Sequence, residues 1–445
     1  MDTDHLLAHA IADTAHLLRG AASDLDPLLE LVGDAGVVLV GEATHGTHEF
    51  YQLRTTLTKR LIEEKGFAAV AIEGDWPDTY RLNRYVRGMG DDGDAVEALA
   101  SFRRFPAWMW RNADVLDFVG WLREHDDALP AAEKVGLYGL DLYSLHASAA
   151  AVLAHLDRVD PGAAQRARER YGCFDRFDAD PRRYGYTTSL GLQADCEDEV
   201  VAQLVDLLQR RTELLHEQGL AEADAQFEAE QNARVVKTAE EYYRTMFEGQ
   251  IASWNLRDTH MADVLDALLA HLARRVPRPK VIVWAHNSHV GDARATAMGD
   301  EGELNLGQLA RERHGRDALL VGQTTYEGTV TAAASWDGPA ERRHLRAALP
   351  HSYEALLHQT GLPRFILPLH DLGEAAGGLR EPRLSRAVGV LYRPELERAS
   401  HYFEARLVRQ FDALVHLDRT RALEPLERSA SWERGELPET YPTGD

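Results

Sequence analysis

Cysteine is almost absent from this chain: Cys173 and Cys196 are the only two in 445 residues. Their spacing fits no zinc finger. Neither lies in a strand-to-helix turn, where a nucleophilic thiol would be presented, so a covalent acyl-enzyme on cysteine has no support. Long apolar runs are lacking too, and no stretch is long enough to span a bilayer. The N-terminus, Met1-Asp2-Thr3-Asp4-His5, carries neither the basic nor the apolar region of a secretory signal. A reducing cytoplasm is therefore the expected compartment, with no membrane partner. Positive charge is in short supply: 49 Lys and Arg face 72 Asp and Glu, a net charge of -23. A nucleic-acid partner needs a basic surface and is not expected. G-x-S-x-G elbows and G-x-x-x-x-G-K-[ST] phosphate loops are missing as well. With those nucleophiles and loops set aside, the natural nucleophile is water activated by a base.

What the chain does have is a recurring pattern at strand ends. Val37-Val38-Leu39-Val40 reads as a strand covered on both faces. It stops at Gly41 and opens into Glu42-Ala43-Thr44-His45-Gly46-Thr47-His48. Thr47 is a candidate N-cap, with Glu49 in the first turn. Phe50, Leu53, Leu57 and Leu61 then recur at helical spacing, and Gly66 reads as the stop. Arg54, one turn past Phe50, is placed to point back toward the loop. A second strand, Phe67–Ile72, ends at Glu73, with a helix expected from about Asp78. A third, Val135–Leu140, ends at Asp141, and a fourth, Val281–Ala285, ends at His286-Asn287-Ser288-His289. Parallel strands joined by right-handed crossovers present their carboxyl ends on one sheet edge, where ligands bind in α/β folds. If the first two strands are neighbours, Glu42 and Glu73 emerge side by side.

Residues up to about 145 alternate strand and helix. From about 146 to 275 the sequence is helical and charged. Strands resume at Val281 and are expected again at Ala318–Gly322, Arg364–Pro368, Ala387–Tyr392 and Ala413–Leu417. The expected fold is α/β: a mixed, mostly parallel sheet flanked by helices, in one domain over 1–445. The 146–275 segment is expected to lie within that domain and cap the site. The tail after about Ser429, rich in Glu, Pro and Gly, is expected to pack loosely.

An imidazole beside carboxylates is the usual general base near neutral pH. His45, screened on one side only by Gly46, fits that role, and Glu42 and Glu73 either orient it or share a proton. His286 suits a second acid/base or an electrophile. The H-x-x-H pairs His45/His48 and His286/His289 raise a metal, but Gln52 stands where an H-E-x-x-H motif needs its second histidine. No metal and no other cofactor is expected. Trp76, Trp108, Trp110, Trp284 and Trp336 are candidates to line an apolar pocket for a bulky ligand, Trp76 and Trp108 foremost.

Several motifs resemble the erythromycin esterase family. They are Gly41–Phe50, Ile72–Pro77, Asn255–Met261, Trp284–Asp292, Tyr402–Ala405 and Gln410–His416, in order across nearly the whole chain. The resemblance implies a metal-independent hydrolase that opens macrolide lactones, an antibiotic-resistance activity. In that picture His45 is the base on water, and Glu42 and Glu73 position and polarise it. Arg54 and His286 hold the ester carbonyl and its oxyanion. Arg257 and His289 join Trp76 and Trp108 along the substrate cleft. Ala43-Thr44 and Gly46 around the first histidine match the broader branch, often labelled succinoglycan biosynthesis. The expected partner is a small-molecule ester or lactone. Two other readings stay open here: metal-assisted hydrolysis, and a protein that binds a macrolide or haem without turning it over.

Overall fold

The computed structural model describes residues 3–176, 181–192, 194–214, 220–247, 249–370, 372 and 376–435. The strands are β1 (His16–Leu17), β2 (Val37–Val40), β3 (Ala69–Asp75), β4 (Gly136–Asp141), β5 (Val281–Trp284), β6 (Ala318–Ala332), β7 (Glu341–Leu345), β8 (Arg364–Pro368), β9 (Arg383–Arg386), β10 (Tyr402–Ala405) and β11 (Ala413–Thr420). The main sheet runs β1-β8-β11-β6-β2-β5-β3-β4, with β7 hairpinned onto β6, while β9 and β10 pair separately. From β11 through β4 every neighbouring pair is parallel. The pairs β1/β8, β8/β11 and β6/β7 are antiparallel. The mostly parallel α/β sheet with flanking helices follows the reading of the sequence.

Alternation along β2 divides the core. Val38 and Val40 pack with Leu57, Leu61 and Phe118 on one face. Val37 and Leu39 pack with Met261, Leu265 and Leu268 on the other. Both faces are dry, which is why the strand reads as an unbroken apolar run.

Three expectations change. β2 and β3 are not neighbours: β5 lies between them and pairs with both. Glu42 and Glu73 therefore flank the end of β5, and His286 emerges between them. Ala387–Tyr392 is not a strand. Val388 bridges only Thr44, and Leu391 only Ala333, so this segment is wedged between two loops, each taking one pairing. Val388 and Tyr392 are buried, while Ala387, Gly389, Val390 and Leu391 are half-buried. The helix after β3 starts at Trp76 rather than Asp78, with Pro77 in its first turn.

The helix His48–Lys65 ends as its sequence implies, at Gly66 with φ 69°. Thr47 occupies the N-cap position without a side-chain cap, because its hydroxyl bonds that of Thr44 instead. Among the described residues, six α-helices lie between β4 and β5: Leu145–Val159, Pro161–Tyr171, Pro181–Ser189, Glu197–Leu214, Leu220–Thr245 and Gln250–Leu272. They carry a core of their own, including Val152, Leu156, Leu207 and Val236. Cys173 and Cys196, which the sequence alone did not pair, form a disulfide within this segment. Of the tail, Ala430–Arg434 is helical with Trp432 buried, and 436–445 lies outside the described residues. No described helix is long and apolar enough to cross a membrane.

Candidate active site

The carboxyl edges of β2, β5, β3 and β4 open into a cavity of about 920 Å³. His45, Glu73, Asp141, His286, Ser288 and His289 line its floor, and Arg257 reaches it from the helix Gln250–Leu272.

His45 is held from behind. Its Nδ1–H donates to Glu42 Oε1 at 2.9 Å. The other oxygen of Glu42 lies 2.7 Å from Arg54 Nη2, as an ion pair rather than an aligned hydrogen bond. The guanidinium carbon of Arg54 sits 4.3 Å from the ring centre of Tyr51 and 5.2 Å from that of Trp284. Arg54 and Glu42 are both 0% exposed, and neither is on the cavity wall. This corrects the expectation that Arg54 meets an oxyanion: its charge is spent on Glu42, one layer below the cavity. The loop shape depends on Gly46, where a Cβ would stand 1.7 Å from the Thr331 carbonyl oxygen. His45 Nε2 has no hydrogen-bond partner among the described residues, so its lone pair is available to the cavity.

Glu73 occupies a different electrostatic setting. It sits in an irregularity of β3, between Ile72 and Asp75, that re-aims its side chain. Gly139 allows this, since a Cβ there would lie 2.5 Å from the Gly74 carbonyl oxygen. Glu73 Oε1 accepts from Arg257 Nη2 at 2.8 Å, and Oε2 accepts from the His286 backbone N–H at 2.8 Å. Burial pushes this carboxyl up, but His289, Arg257 and His45 outweigh it and hold Glu73 well below the usual carboxylate range. The two glutamates are thus held separately, Glu42 by Arg54 and Glu73 by Arg257.

His286 is neutral and of one tautomer. Its Nδ1 accepts from the Ser288 backbone N–H at 3.2 Å, and the Ser288 hydroxyl lies 2.8 Å from the same nitrogen. The ring proton therefore resides on Nε2, which is buried without a hydrogen-bond partner. Burial and then His45 push this ring down to about 3, although the Ala43 carbonyl is near enough to weigh slightly the other way. The rings of His45 and His286 are 4.8 Å apart.

His289 is braced by Asp258, both of whose oxygens accept from Nδ1–H at 2.9 Å, and stacks on Trp254 at 4.5 Å. Burial pushes this ring down, but Asp258 and Glu73 push it up to about 9. Arg257 Nη1, 3.0 Å from Nε2, works against that charge, since only an unprotonated Nε2 can accept from it. Arg257 also donates to both oxygens of Asp141, at 3.0 and 2.7 Å.

The aromatic assignments divide. Trp110, Trp254 and Trp336 line the cavity, with Phe102, Phe105, Tyr143, Tyr242 and Tyr243. Trp76 and Trp108 do not, contrary to expectation. Trp76 is enclosed by Tyr80, Tyr138 and Phe227, and Trp108 lies in the opposite core. Trp284 is core as well. His48 turns away from His45 to meet Asp114 at 2.8 Å and Arg421 at 2.7 Å. Among the described residues no group of three or more His, Cys, Asp or Glu is arranged to hold a metal. Asp258, Ser288, Trp254 and Tyr143 belong to the site but escape the sequence reading. Only Asp258, adjacent to Arg257 in a helix whose inner face is apolar, left a signal.

A family model described as Erythromycin esterase matches residues 62–420. The matched span takes in Glu73, Arg257, His286 and His289 and begins after Glu42, His45 and Arg54. Erythromycin esterase type II of Escherichia coli is 24% identical over 331 residues, 69% of this chain and 73% of the relative. Putative hydrolase YbfO of Bacillus subtilis (strain 168) is 22% identical over 427 residues, 89% of this chain and 86% of the relative. Among solved structures, a Bacillus cereus protein superposes with a TM-score of 0.76 at 21% identity, over 96% of this chain and 100% of that one. A succinoglycan biosynthesis protein gives 0.75 at 20%, over 95% and 99%. An erythromycin esterase mutant, EreC in its open conformation, gives 0.61 at 19%, over 90% and 94%. At these identities the structural likeness speaks for the fold alone.

Proposed function

Because the chain belongs to the erythromycin esterase family, we propose that it is a hydrolase that cleaves a carboxylic ester or lactone with water activated by His45. One observation carries the reading: Arg54, Glu42 and His45 form a line that ends at the cavity, where the rings of His45 and His286 lie 4.8 Å apart.

His45 Nε2 takes a proton from water as its oxygen attacks the acyl carbon. Glu42, paired with Arg54, stabilises the imidazolium that appears. The carbonyl oxygen becomes an oxyanion beside the neutral ring of His286, whose Nε2–H, enclosed at rest, turns toward it. Collapse of the tetrahedral intermediate breaks the bond to the alkoxy oxygen, and that oxygen receives the proton held by His45. The products are a carboxylic acid and an alcohol, joined in one molecule when the substrate is a lactone. Glu73 stays ionised and orients Arg257 and the His286 backbone. In this reading Arg257 and His289 form the polar wall and the aromatic side chains the apolar one. The segment between β4 and β5, which supplies Tyr242, Tyr243, Met246 and Trp254 to the lining, caps the site.

The reaction so written uses no metal. A hydrolysis screen over macrolides, other lactones and simple aryl esters tests it, with products identified by mass. Turnover by untagged, chelator-treated protein is the expected result. Activity that vanishes with chelator and returns with zinc or manganese would replace this mechanism with a metal-assisted one. Ligand binding with unchanged ligand mass would replace it with a binding protein.

A further inference from the structure

The two cysteines stand outside the chemistry above, and their placement has a use of its own. Cys173 and Cys196 are both buried and close a disulfide across a sequence separation of 23. Within that span lies the helix Pro181–Ser189. Pro181 and Arg182, at its start, line the cavity, and Arg182 lies 3.7 Å from Asp337 on the facing loop. The helix backbone presses against the helix Leu220–Thr245: a Cβ on Gly185 would stand 1.8 Å from the carbonyl oxygen of Tyr243, itself a lining residue. Tyr184 joins the parts. Its hydroxyl donates to Glu240 Oε1 at 2.6 Å and accepts from the backbone N–H of Cys196 at 3.0 Å. The second half-cystine is thus bonded, through one side chain, to the element that forms the outer wall.

We propose that the Cys173–Cys196 disulfide is a redox-operated staple that fixes this wall of the cavity. A dithiol supplies two electrons and two protons, the S–S bond becomes two thiols, and the dithiol leaves as its own cyclic disulfide. Because both sulfurs are buried, a reductant reaches them only when the segment opens locally, so opening and reduction favour each other. With the link cut, the span keeps the Tyr184 and Gly185 contacts and loses its covalent closure, which restrains the open chain most. Glu42, His45, Glu73 and His286 hang on β2, β3 and β5, away from the staple, and keep their places.

The test needs no substrate and does not rest on the hydrolase reading. Full-length protein purified in air is denatured and alkylated without reductant, and the mass counts the modified cysteines. None is expected, and two after dithiothreitol. Hydrogen exchange is then followed in oxidised protein, in protein reduced under native conditions, and in the double variant Cys173→Ser/Cys196→Ser. Reduction should speed exchange in peptides covering 181–192 by roughly tenfold or more, with strands 37–40 and 281–284 unchanged. The double variant should match the reduced protein, and the reduction arm stands alone if that variant does not fold. Two alkylated cysteines without reductant, an unchanged rate in 181–192, or equal acceleration in the strands would each overturn the proposal.

Discussion

Among the described residues, Arg54 pairs with Glu42 alone: the two are 2.7 Å apart, and both side chains are closed to solvent. Burying two charges is costly, and removing one member leaves the other uncompensated. The pair's position directly behind His45 gives it a task, which is to keep an anion against the ring nitrogen that must stay protonated.

That arrangement separates single from double substitutions. Arg54→Leu should destabilise the fold by about 3 to 5 kcal/mol, because Glu42 is left as a lone buried anion. Arg54→Leu with Glu42→Gln should recover much of that loss while leaving turnover low. Urea denaturation of the four proteins in the cycle checks it. Equal stability of the single and double variants would show that the ion pair is not the reason for either residue.

His45→Ala should fold normally and lose about two to four powers of ten in kcat, the usual scale for a missing general base. The measurement uses whichever ester or lactone the screen turns over. Full activity in this variant would remove His45 from the mechanism.

His286 stays neutral at every pH above about 3, because burial and His45 disfavour its charged form. The pH–rate profile should therefore contain no limb belonging to His286 near neutrality. His286→Gln should lower the plateau by about 10²- to 10³-fold, as for loss of one oxyanion donor, and leave the acid limb at the same pH. A limb that shifts or disappears in this variant would show that His286 titrates during turnover.

A second buried cluster ties the helix Leu220–Thr245 to the helix Gln250–Leu272 and to Arg87, at the end of the helix that follows β3. Asp224 accepts from Arg87 at 2.9 Å and meets His271 at 2.8 Å. Burial pushes Asp224 up, but His271, Arg87 and Arg275 outweigh it and bring it to about 2 from 3.8. The folded state therefore favours the ionised form. The stabilisation is full above pH 3.8 and is lost as pH falls through about 2. Its size is on the order of 2 kcal/mol. Asp224→Asn should remove it, so the stability gap from wild type should narrow as acid is added. A gap independent of pH between 2 and 6 (roughly the span that brackets this titration) would assign the loss to packing.

The strand ends were the legible part of this site. An apolar run that halts at a glycine or a titratable side chain is a local pattern, and it exposes Glu42, Glu73, Asp141 and His286 at one edge. Strand order is not local. Nothing near Val281 says that β5 inserts between β2 and β3, so the condition that would set Glu42 beside Glu73 is not met. Burial of an aromatic residue is equally uninformative about what buries it. Trp76 and Trp110 are both about 95% or more enclosed, yet one faces Tyr80 and Phe227 and the other borders the cavity. Ala387–Tyr392 reads as a strand for the same reason, being apolar without being paired along its length. Arg54 shows the reverse case: its direction toward the loop was readable, but not that Glu42 would intercept it.

The central place of β5 has a consequence for how the molecule is made. While the ribosome is still short of Val281, β2 and β3 have no strand to join them, and His45 lies at the rim of an unfilled slot. The groups from the first sixth of the polypeptide wait for a partner that follows the whole helical segment between β4 and β5. Nascent or truncated chains would thus expose both edges of β2 and one of β3, which makes this seam a natural point for chaperone capture and for reassembly from separately expressed halves.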